Sequence, residues 1–365
     1  MDFYTTDIAK KAREYTLQTL KSTFISEGEM VRKFESELAK KLGLVNPVAV
    51  NSGTSALHLA LVLAGVGKGD EVILPAQTFV ATGMVILMQR AKPVFADIDL
   101  TTGNISVDSI RQKITKKTCA IMVVHWGGYP CDMDEINQLV KKHQLAIIED
   151  AAHALGATYE DKPIGAISRF TAFSFQAIKH LTTGDGGALC CVDKNDYVRA
   201  KGLRWFGISR EKSKPSILGE RLYDLSEIGY KYHMNDLAAS VGLGNLVDFN
   251  KNLAIRRKIA RYYRKELANM SGLTLLDYKD DRNSAYWLFT ILVEKREDFI
   301  RKLKEKGIPT SVVHLRIDRN SVFGGITPGL VGQEKFDSQQ ISIPIHSKLT
   351  DEQVNLIVKS VKKGW

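Results

Sequence analysis

The stretch Phe173-Ser-Phe-Gln-Ala-Ile-Lys-His-Leu-Thr-Thr-Gly-Asp-Gly-Gly187 ends an apolar strand, continues to Lys179 and then has three glycines in four residues. A lysine in a partly buried, glycine-rich loop differs from the usual solvated lysine. Burial lowers the pKa of an amine and leaves it free to attack a carbonyl group, which a Schiff base requires. Taken alone, the stretch favours the simpler interpretation of a surface lysine beside a hairpin turn.

Upstream of this stretch, short strand-like runs alternate with helical runs. Apolar strands are predicted at residues 48–50, 71–74, 93–96, 119–124 and 145–149, with helical spacing between them. Such alternation predicts an α/β fold with a mostly parallel sheet and helices on both faces. Helical spacing over residues 4–42 adds an N-terminal helical arm.

The pattern divides near residue 245. We predict a large α/β domain, including the helical arm, at residues 1–245 and a smaller C-terminal α+β domain at residues 246–365. A helical pattern from Asn235 to about Leu267 is expected to bridge the two. The 365-residue length agrees with two units.

Composition narrows the class of protein. Hydrophobic residues make up 44% of the chain and charged residues 25%, which is typical of a globular protein and excludes intrinsic disorder as its main state. The 51 Lys and Arg exceed the 41 Asp and Glu by 10, which suits nucleic acid, a membrane surface or anionic small substrates. The four cysteines show no metal-binding spacing, so we predict no metal site. The sequence predicts a cytoplasmic protein with no membrane partner.

Two further junctions place polar residues directly after apolar strands. At Val50-Asn-Ser-Gly-Thr-Ser-Ala-Leu57, a strand ends in small polar residues and a helix begins at once, which suits a phosphate or serves as an ordinary helix cap. At Leu145 to Ala154, an apolar strand runs into Glu149, Asp150 and His153. Ligands of open parallel sheets lie beyond the carboxyl ends of the strands, so Asp150 is placed to face one, although capping a helix is its simpler role.

The chain resembles the DegT/StrS-type sugar aminotransferases, a family of fold-type I pyridoxal-phosphate enzymes. The resemblance is an ordered series of motifs over most of the chain: Asn51-Ser-Gly-Thr-Ser-Ala-Leu, Pro75-Ala-Gln-Thr-Phe-Val-Ala-Thr, Pro93-Val-Phe-Ala-Asp-Ile-Asp, Val124-His-Trp-Gly-Gly, Glu149-Asp-Ala-Ala-His-Ala, and Phe173 to Gly187. It implies an aspartate aminotransferase-like large domain with a sheet of the seven-stranded type.

The resemblance also implies roles for particular residues. Lys179 would form the Schiff base with pyridoxal 5'-phosphate and shuttle the proton, while Asp150 would pair with the pyridinium nitrogen. Phe79 would lie on the face of the ring, and His153 near its phenolic oxygen. The phosphate would be held by the hydroxyl groups of Thr54, Ser55 and Ser174.

Two positions depart from the family's usual residues. Where many members donate an asparagine from the neighbouring subunit to the cofactor phosphate, this chain has Lys231, which can act as a point charge. The resemblance therefore implies a homodimer with shared active sites. Where members often have a His-Tyr-Pro segment near the sugar site, this chain has His314-Leu-Arg316, so His314 and Arg316 are candidate substrate residues.

The function implied is transfer of an amino group from L-glutamate to a keto sugar, in amino-sugar biosynthesis for cell-surface polysaccharide or lipopolysaccharide. The sugar would be nucleotide-linked, or a free keto-sugar acid whose carboxylate Arg316 could bind. Two alternatives remain at this stage. One is a pyridoxal-phosphate sugar dehydratase, which Lys179 disfavours because dehydratases of the family have histidine there. The other is a non-catalytic regulator or nucleic-acid-binding protein, for which no basic cluster or known module is visible, so we predict no nucleic-acid partner.

Overall fold

The structure is a computed structural model that describes residues 1–208 and 214–365. Within these residues the strands are β1 Pro47–Val50, β2 Glu71–Pro75, β3 Lys92–Ala96, β4 Thr118–Val124, β5 Ala146–Asp150, β6 Thr158–Tyr159, β7 Lys162–Pro163, β8 Phe170–Ser174, β9 Gly187–Cys191, β10 Lys214–Pro215, β11 Arg221–Leu222, β12 Leu273–Leu275, β13 Arg282–Asn283, β14 Phe289–Val293 and β15 Gln340–Ile343. The helices of the same residues are α1 Lys10–Ser22, α2 Glu29–Leu42, α3 Gly53–Leu63, α4 Val80–Met88, α5 Val107–Lys113, α6 Met133–His143, α7 Lys194–Leu203, α8 Asp236–Asn245, α9 Phe249–Glu266, α10 Arg296–Glu305, α11 Val331–Gln339 and α12 Asp351–Lys362.

The predicted sheet is confirmed. Seven strands lie in the order β1-β9-β8-β5-β4-β2-β3. Strands β8, β5, β4, β2 and β3 run parallel, whereas β9 is antiparallel to both of its neighbours, β1 and β8. The carboxyl ends of β4, β5 and β8 therefore open onto one edge of the sheet, which is where an open α/β sheet binds its ligands.

The sheet is largely buried on both faces, and its central strands are mostly apolar along their length rather than at alternate positions. In β2, the side chain of Ile73 joins the core on one face, while those of Val72 and Leu74 join the core on the other. Residues of α2, α6 and α8 cover the first face, and residues of α3, α4 and α7 cover the second. Complete burial of each such side chain stabilises the fold by about 1.5–3 kcal/mol.

The N-terminal arm differs in part from its prediction. Helices α1 and α2 both pack against α8, but residues 1–9 form neither helix nor strand. The predicted helix from residue 4 is wrong over these first positions, because Phe3 and Tyr4 instead pack against a cluster that includes Trp287. The sequence also predicts a long polar loop from Ser209 to Arg221, of which residues 209–213 lie outside the described residues.

The C-terminal elements have a core of their own. Strands β12, β14 and β15 form an antiparallel sheet. The predicted continuous helix after Asn235 is divided into α8 and α9, and α9 contributes to two cores. Its Phe249 and Leu253 pack against the large sheet, while Ile259 and Tyr263 pack in the C-terminal core. This helix connects the two regions, and a domain division at 245/246 remains our prediction.

Within the described ranges, every helix is too short or too polar to cross a bilayer. Nowhere in those ranges do three or more histidine, cysteine, aspartate or glutamate side chains come together as potential metal ligands.

Candidate active site

A cavity of about 450 Å³ lies beyond the carboxyl ends of β4, β5 and β8. The amino end of α3 forms one side, and residues of the C-terminal region close the other. Most residues that the sequence singled out border this one cavity: Thr54, Phe79, Asp150, His153, Ser174, Lys179 and His314.

Lys179 lies in the turn that follows β8, where its backbone N–H donates to Gln176 O at 2.9 Å. The Nζ atom lies 3.6 Å from the ring centroid of Trp287. Burial lowers the pKa of Lys179 to about 7, and the nearby charge of Asp150 opposes this shift only in part. A large fraction of the amine is therefore unprotonated at neutral pH, which is the form that reacts with a carbonyl group.

Asp150 is the last residue of β5 and is 7% exposed. Its Oδ2 accepts a hydrogen bond from Thr82 Oγ1 at 2.7 Å, and its Oδ1 accepts one from Ala152 N at 3.2 Å. Burial raises the pKa of Asp150, while the bonds from Thr82 and Ala152 act in the opposite direction. A buried carboxylate held in this way can share a proton with a heterocyclic nitrogen placed in the cavity.

A group of aromatic rings forms another wall. The ring of His153 stacks on Trp287 with centroids 3.8 Å apart, and His314 lies 5.9 Å from His153. Phe79 is 54% exposed and lies 5.2 Å from His314, so its face is available to a flat ligand. Burial, followed by the charge of Lys179, lowers the pKa of His153 well below its ordinary value, and the pKa of His314 falls to about 4 for the same reasons. Both imidazoles are therefore neutral at pH 7.

The amino end of α3 forms the polar end of the cavity, which Thr54 of α3 and Ser174 of β8 both border. Ser52 caps the helix by accepting a hydrogen bond from Ser55 N at 3.0 Å. The hydroxyl of Ser55 donates to Asn51 Oδ1 at 2.6 Å, and Ser55 does not border the cavity. Thr54 and Ser174 are thus placed for a phosphate, whereas a phosphate contact from Ser55 remains a prediction.

Backbone clearance at this end depends on Gly187. A Cβ atom there would lie 2.6 Å from Phe173 O and 2.7 Å from Gly53 N. Real Cβ atoms do not approach so closely, so only glycine lets β8, β9 and the start of α3 meet at this point.

Two predicted residues lie away from the cavity. Lys231 is exposed, and its Nζ lies 5.6 Å from the ring centroid of Trp205. Arg316 is 4% exposed and pairs with both carboxylate oxygens of Asp318, each at 2.7 Å. The prediction that Arg316 binds a substrate carboxylate is therefore withdrawn, because its guanidinium is held by Asp318 outside the cavity.

Three contributors were not identified from the sequence. Trp287 is both buried and in contact with Lys179. Thr82 holds Asp150 from α4, and Tyr4 borders the cavity from the N-terminal segment. The motif Pro75 to Thr82 contained a signal for Thr82, but no pattern in the sequence indicated Tyr4.

The residues present fit pyridoxal phosphate. The cavity presents a desolvated amine, a buried carboxylate, an exposed aromatic face and a hydroxyl-lined helix terminus. In addition, Nδ1 of His153 is buried and has no hydrogen-bond partner among the residues described. A buried polar atom of this kind is expected to find its partner in a bound molecule or in ordered water.

Comparisons with known proteins agree with this geometry. The sequence matches the DegT/DnrJ/EryC1/StrS aminotransferase family over residues 6–362. Protein MJ1066 of Methanocaldococcus jannaschii is 40% identical, covering 95% of this chain and 93% of its own. GDP-perosamine synthase of Escherichia coli O157:H7 is 34% identical, with coverage of 99% and 98%. The UDP-4-amino-4-deoxy-L-arabinose–oxoglutarate aminotransferase of Shewanella sediminis is 31% identical, with coverage of 94% and 92%.

Solved structures show the same relationship. The sugar aminotransferase CalS13 from Micromonospora echinospora has a TM-score of 0.95 and 33% identity, with both chains covered completely. Spr1654 from Streptococcus pneumoniae, solved in PLP and PMP forms, is 30% identical, and its PLP form has a TM-score of 0.91 with coverage of 100% of this chain and 98% of its own. The chain therefore belongs to the DegT/DnrJ/EryC1/StrS aminotransferase family and is a pyridoxal phosphate-dependent aminotransferase of fold type I.

Proposed function

We propose that this enzyme transfers an amino group from L-glutamate to a nucleotide-linked keto sugar. The observation that carries the proposal is the desolvated amine of Lys179 in the same cavity as the buried carboxylate of Asp150. The sugar class is supported by the names of two relatives, which contain a GDP-linked and a UDP-linked amino sugar. One of these names also includes oxoglutarate, which is the keto acid formed when glutamate gives up its amino group.

In this proposal Lys179 has two tasks. Its unprotonated Nζ attaches the cofactor and, once released by the incoming amine, accepts and returns the proton that moves during amino transfer. A pKa of about 7 suits both tasks, because the amine can then take up and give up a proton near neutral pH. When bound, the cofactor supplies a ring that withdraws electrons from the reacting carbon.

Asp150 and His153 would act on the ring from different positions. Asp150 would hold a proton between its carboxylate and the ring nitrogen, which maintains the ring's ability to accept electrons. Its position is fixed by the hydrogen bond from Thr82. His153 is neutral and its Nδ1 is unpartnered among the described residues, so it can exchange a hydrogen bond with an oxygen on the ring. Phe79 would cover the ring's face.

The phosphate end of the cavity needs more positive charge than one chain supplies. Thr54 and Ser174 provide hydroxyl groups, and α3 provides the partial charge of its amino end. The cationic side chain that borders the cavity in the described residues is Lys179, which is engaged with the cofactor. We infer that Lys231 of the partner subunit provides the missing charge, which makes the active form a homodimer with shared sites.

The alternative substrate, a free keto-sugar acid, loses its main support. It depended on Arg316 binding the acid's carboxylate, and that guanidinium pairs with Asp318. A nucleotide-linked sugar does not require this contact.

The proposal is tested by loading the protein with pyridoxal phosphate, reducing it with borohydride and mapping the labelled peptide. We expect the label on Lys179. The unreduced enzyme should then form 2-oxoglutarate from L-glutamate and donate the amino group to a nucleotide-linked keto sugar. A label at another residue would refute the role of Lys179, and failure with every keto-sugar nucleotide, despite turnover of glutamate, would refute the sugar assignment.

A further inference from the structure

The two residues that flank Lys179 are both attached to one short segment of the C-terminal region. The indole Nε1 of Trp287 donates to Ile178 O at 3.0 Å. On the other side, Nε2 of His180 lies 2.8 Å from Ala285 O. The turn that carries the reacting amine is therefore held on both sides by residues more than 100 positions further along the chain.

His180 is the donor in its contact. Burial, followed by the charge of Arg256, lowers the pKa of His180 well below its ordinary value, so the imidazole is neutral at pH 7. A neutral imidazole carries one proton, and a carbonyl oxygen only accepts hydrogen bonds, so Nε2 donates to Ala285 O. One hydrogen bond thus runs from the lysine turn to the C-terminal segment, and the bond from Trp287 runs back to the turn.

The C-terminal segment, residues 285–288, is itself fixed, and we call it the clamp segment. Ala285 N donates to Gly128 O at 2.9 Å, and Leu288 N donates to Gly127 O at 3.1 Å. Gly128 has a φ of 98°, and a Cβ atom there would lie 2.6 Å from a backbone carbonyl oxygen, so this close approach requires glycine. The clamp segment is therefore anchored to the turn that follows β4, at the carboxyl edge of the large sheet.

The clamp segment also contacts the reacting amine. The Nζ atom of Lys179 lies 3.6 Å from the ring centroid of Trp287, the residue whose indole N–H bonds the turn. Trp287 is 1% exposed, so its ring keeps water away from this side of the amine. Burial is the cause of the low pKa of Lys179. The contacts that fix the turn therefore also keep the amine in its desolvated position.

We propose that His180 and Trp287 are positioning residues for Lys179, which hold its backbone from both sides so that only the side chain moves during the reaction. This inference rests on the role proposed for Lys179 above. The amine has to leave the cofactor, carry a proton and return, so Nζ must reach the same positions in every cycle. A turn attached on one side only can pivot, and a displacement of about 1 Å can lower a rate by as much as about 100-fold.

Packing alone does not require these two residue types. A leucine at position 180 would fill a buried site without a polar group that needs a partner, and a phenylalanine at position 287 would still provide an aromatic wall. What His180 and Trp287 add is an N–H group on each side of Lys179. The variants His180→Leu and Trp287→Phe remove these groups one at a time.

The first measurement uses the cofactor-free protein. Wild type and both variants are labelled with trace acetic anhydride between about pH 6 and pH 10, and mass spectrometry measures the acetyl group on Lys179. We expect the wild-type amine to titrate near pH 7 and the variants to titrate at higher pH, because an amine that leaves its desolvated position regains water. Labelling of Lys179 at pH 7 should fall at least about 2-fold in each variant.

The second measurement mixes the proteins, loaded with pyridoxal phosphate, with L-glutamate and follows by absorbance the conversion of the cofactor to its amine form. The rate at saturating glutamate should fall about 10- to 100-fold in each variant, while the half-saturating concentration stays within about 2-fold, because neither residue is proposed to bind substrate. His180→Gln keeps an N–H donor at similar reach. It should restore the labelling profile and bring the rate to within about 3-fold of wild type.

Trp365→Phe is the matched control, because it removes an indole N–H that donates to Glu294 O at 2.6 Å, and it should change neither measurement. Wild-type labelling and rate in both variants would overturn the proposal, as would a His180→Gln enzyme as impaired as His180→Leu, or a larger change in half-saturating concentration than in rate. The His180 pair decides the matter if Trp287→Phe does not fold. Borohydride reduction of the loaded wild type separates the two proposals, since a label away from Lys179 overturns both, whereas a label on Lys179 with unimpaired variants overturns the clamp alone.

Discussion

Replacing Lys179 with methionine should stabilise the cofactor-free protein while removing its activity. The buried amine has a pKa of about 7 in the folded chain, against 10.5 for a lysine in water. Between these values the unfolded chain binds more protons than the folded one, so the free energy of unfolding rises with pH. Methionine has a similar length and no charge. The replacement therefore removes the free-energy cost of moving the lysine amine, which is charged in the unfolded chain, into the folded protein.

The size of the effect follows from the two pKa values. At pH 7 the unfolded lysine is fully charged, whereas only about half of the folded population is, which destabilises the fold by about 4 kcal/mol relative to a neutral side chain. At pH 9 the same calculation gives about 2 kcal/mol, and the difference vanishes above the pKa of the unfolded lysine. The advantage of Lys179→Met should therefore halve between pH 7 and pH 9.

The measurement is urea denaturation of the cofactor-free proteins at both pH values and one fixed protein concentration, followed by tryptophan fluorescence. Lys251→Met, on the exposed side of α9, is the matched control and should stay within about 0.5 kcal/mol of wild type at both pH values. A Lys179→Met protein that is less stable than wild type at pH 7, or whose advantage grows with pH, would show that the amine is charged in the folded state.

Two further predictions concern the chemistry and the assembly. Asp150→Asn should still bind pyridoxal phosphate but lose at least about 100-fold in kcat, because an amide cannot hold the proton shared with the ring nitrogen; turnover near the wild-type value would contradict this role. Lys179→Ala and Lys231→Glu, each inactive alone, should recover about a quarter of wild-type activity when their chains mix randomly, because each mixed dimer has one intact site. Full activity of Lys231→Glu alone would exclude the contact between subunits.

Local sequence patterns predicted much of the large sheet. The structure places β4 at Thr118–Val124, where an uninterrupted apolar run predicted 119–124, and β5 at Ala146–Asp150, where an apolar run predicted 145–149. These elements are determined by residues near them in the chain. The first nine residues are the opposite case, because their apolar residues have helical spacing but pack against C-terminal elements more than 250 residues away. No local pattern contains that information.

The residues of the active site also fall into two groups, those that local sequence predicts and those that only tertiary contacts bring to the cavity. Asp150 and Lys179 follow the ends of parallel strands, and parallel topology alone brings such ends together. Trp287 and Tyr4 reach the cavity only because the C-terminal region packs over the sheet edge and holds the first nine residues there. The sequence made Arg316 a candidate for binding a substrate carboxylate. Its pairing with Asp318, two residues further along, depends on the backbone conformation and could not be predicted from the sequence.

A comparison of Lys179 with Arg204 shows why the environment of Lys179 indicates a functional role. Arg204 is 2% exposed, and burial lowers its pKa, but Glu35 and Glu27 raise it further than burial lowers it. Both carboxylates bond the guanidinium directly, with Glu27 at 2.7 Å, so Arg204 stays charged. The guanidinium also donates to Ala49 O of β1 at 2.8 Å, which ties α2 and the preceding turn to the sheet. Lys179 has Asp150 as its opposing charge, and burial prevails there. The fold thus pairs Arg204, which contributes to stability, with two carboxylates. It gives Lys179, whose neutral amine the reaction requires, one opposing charge that does not offset the effect of burial.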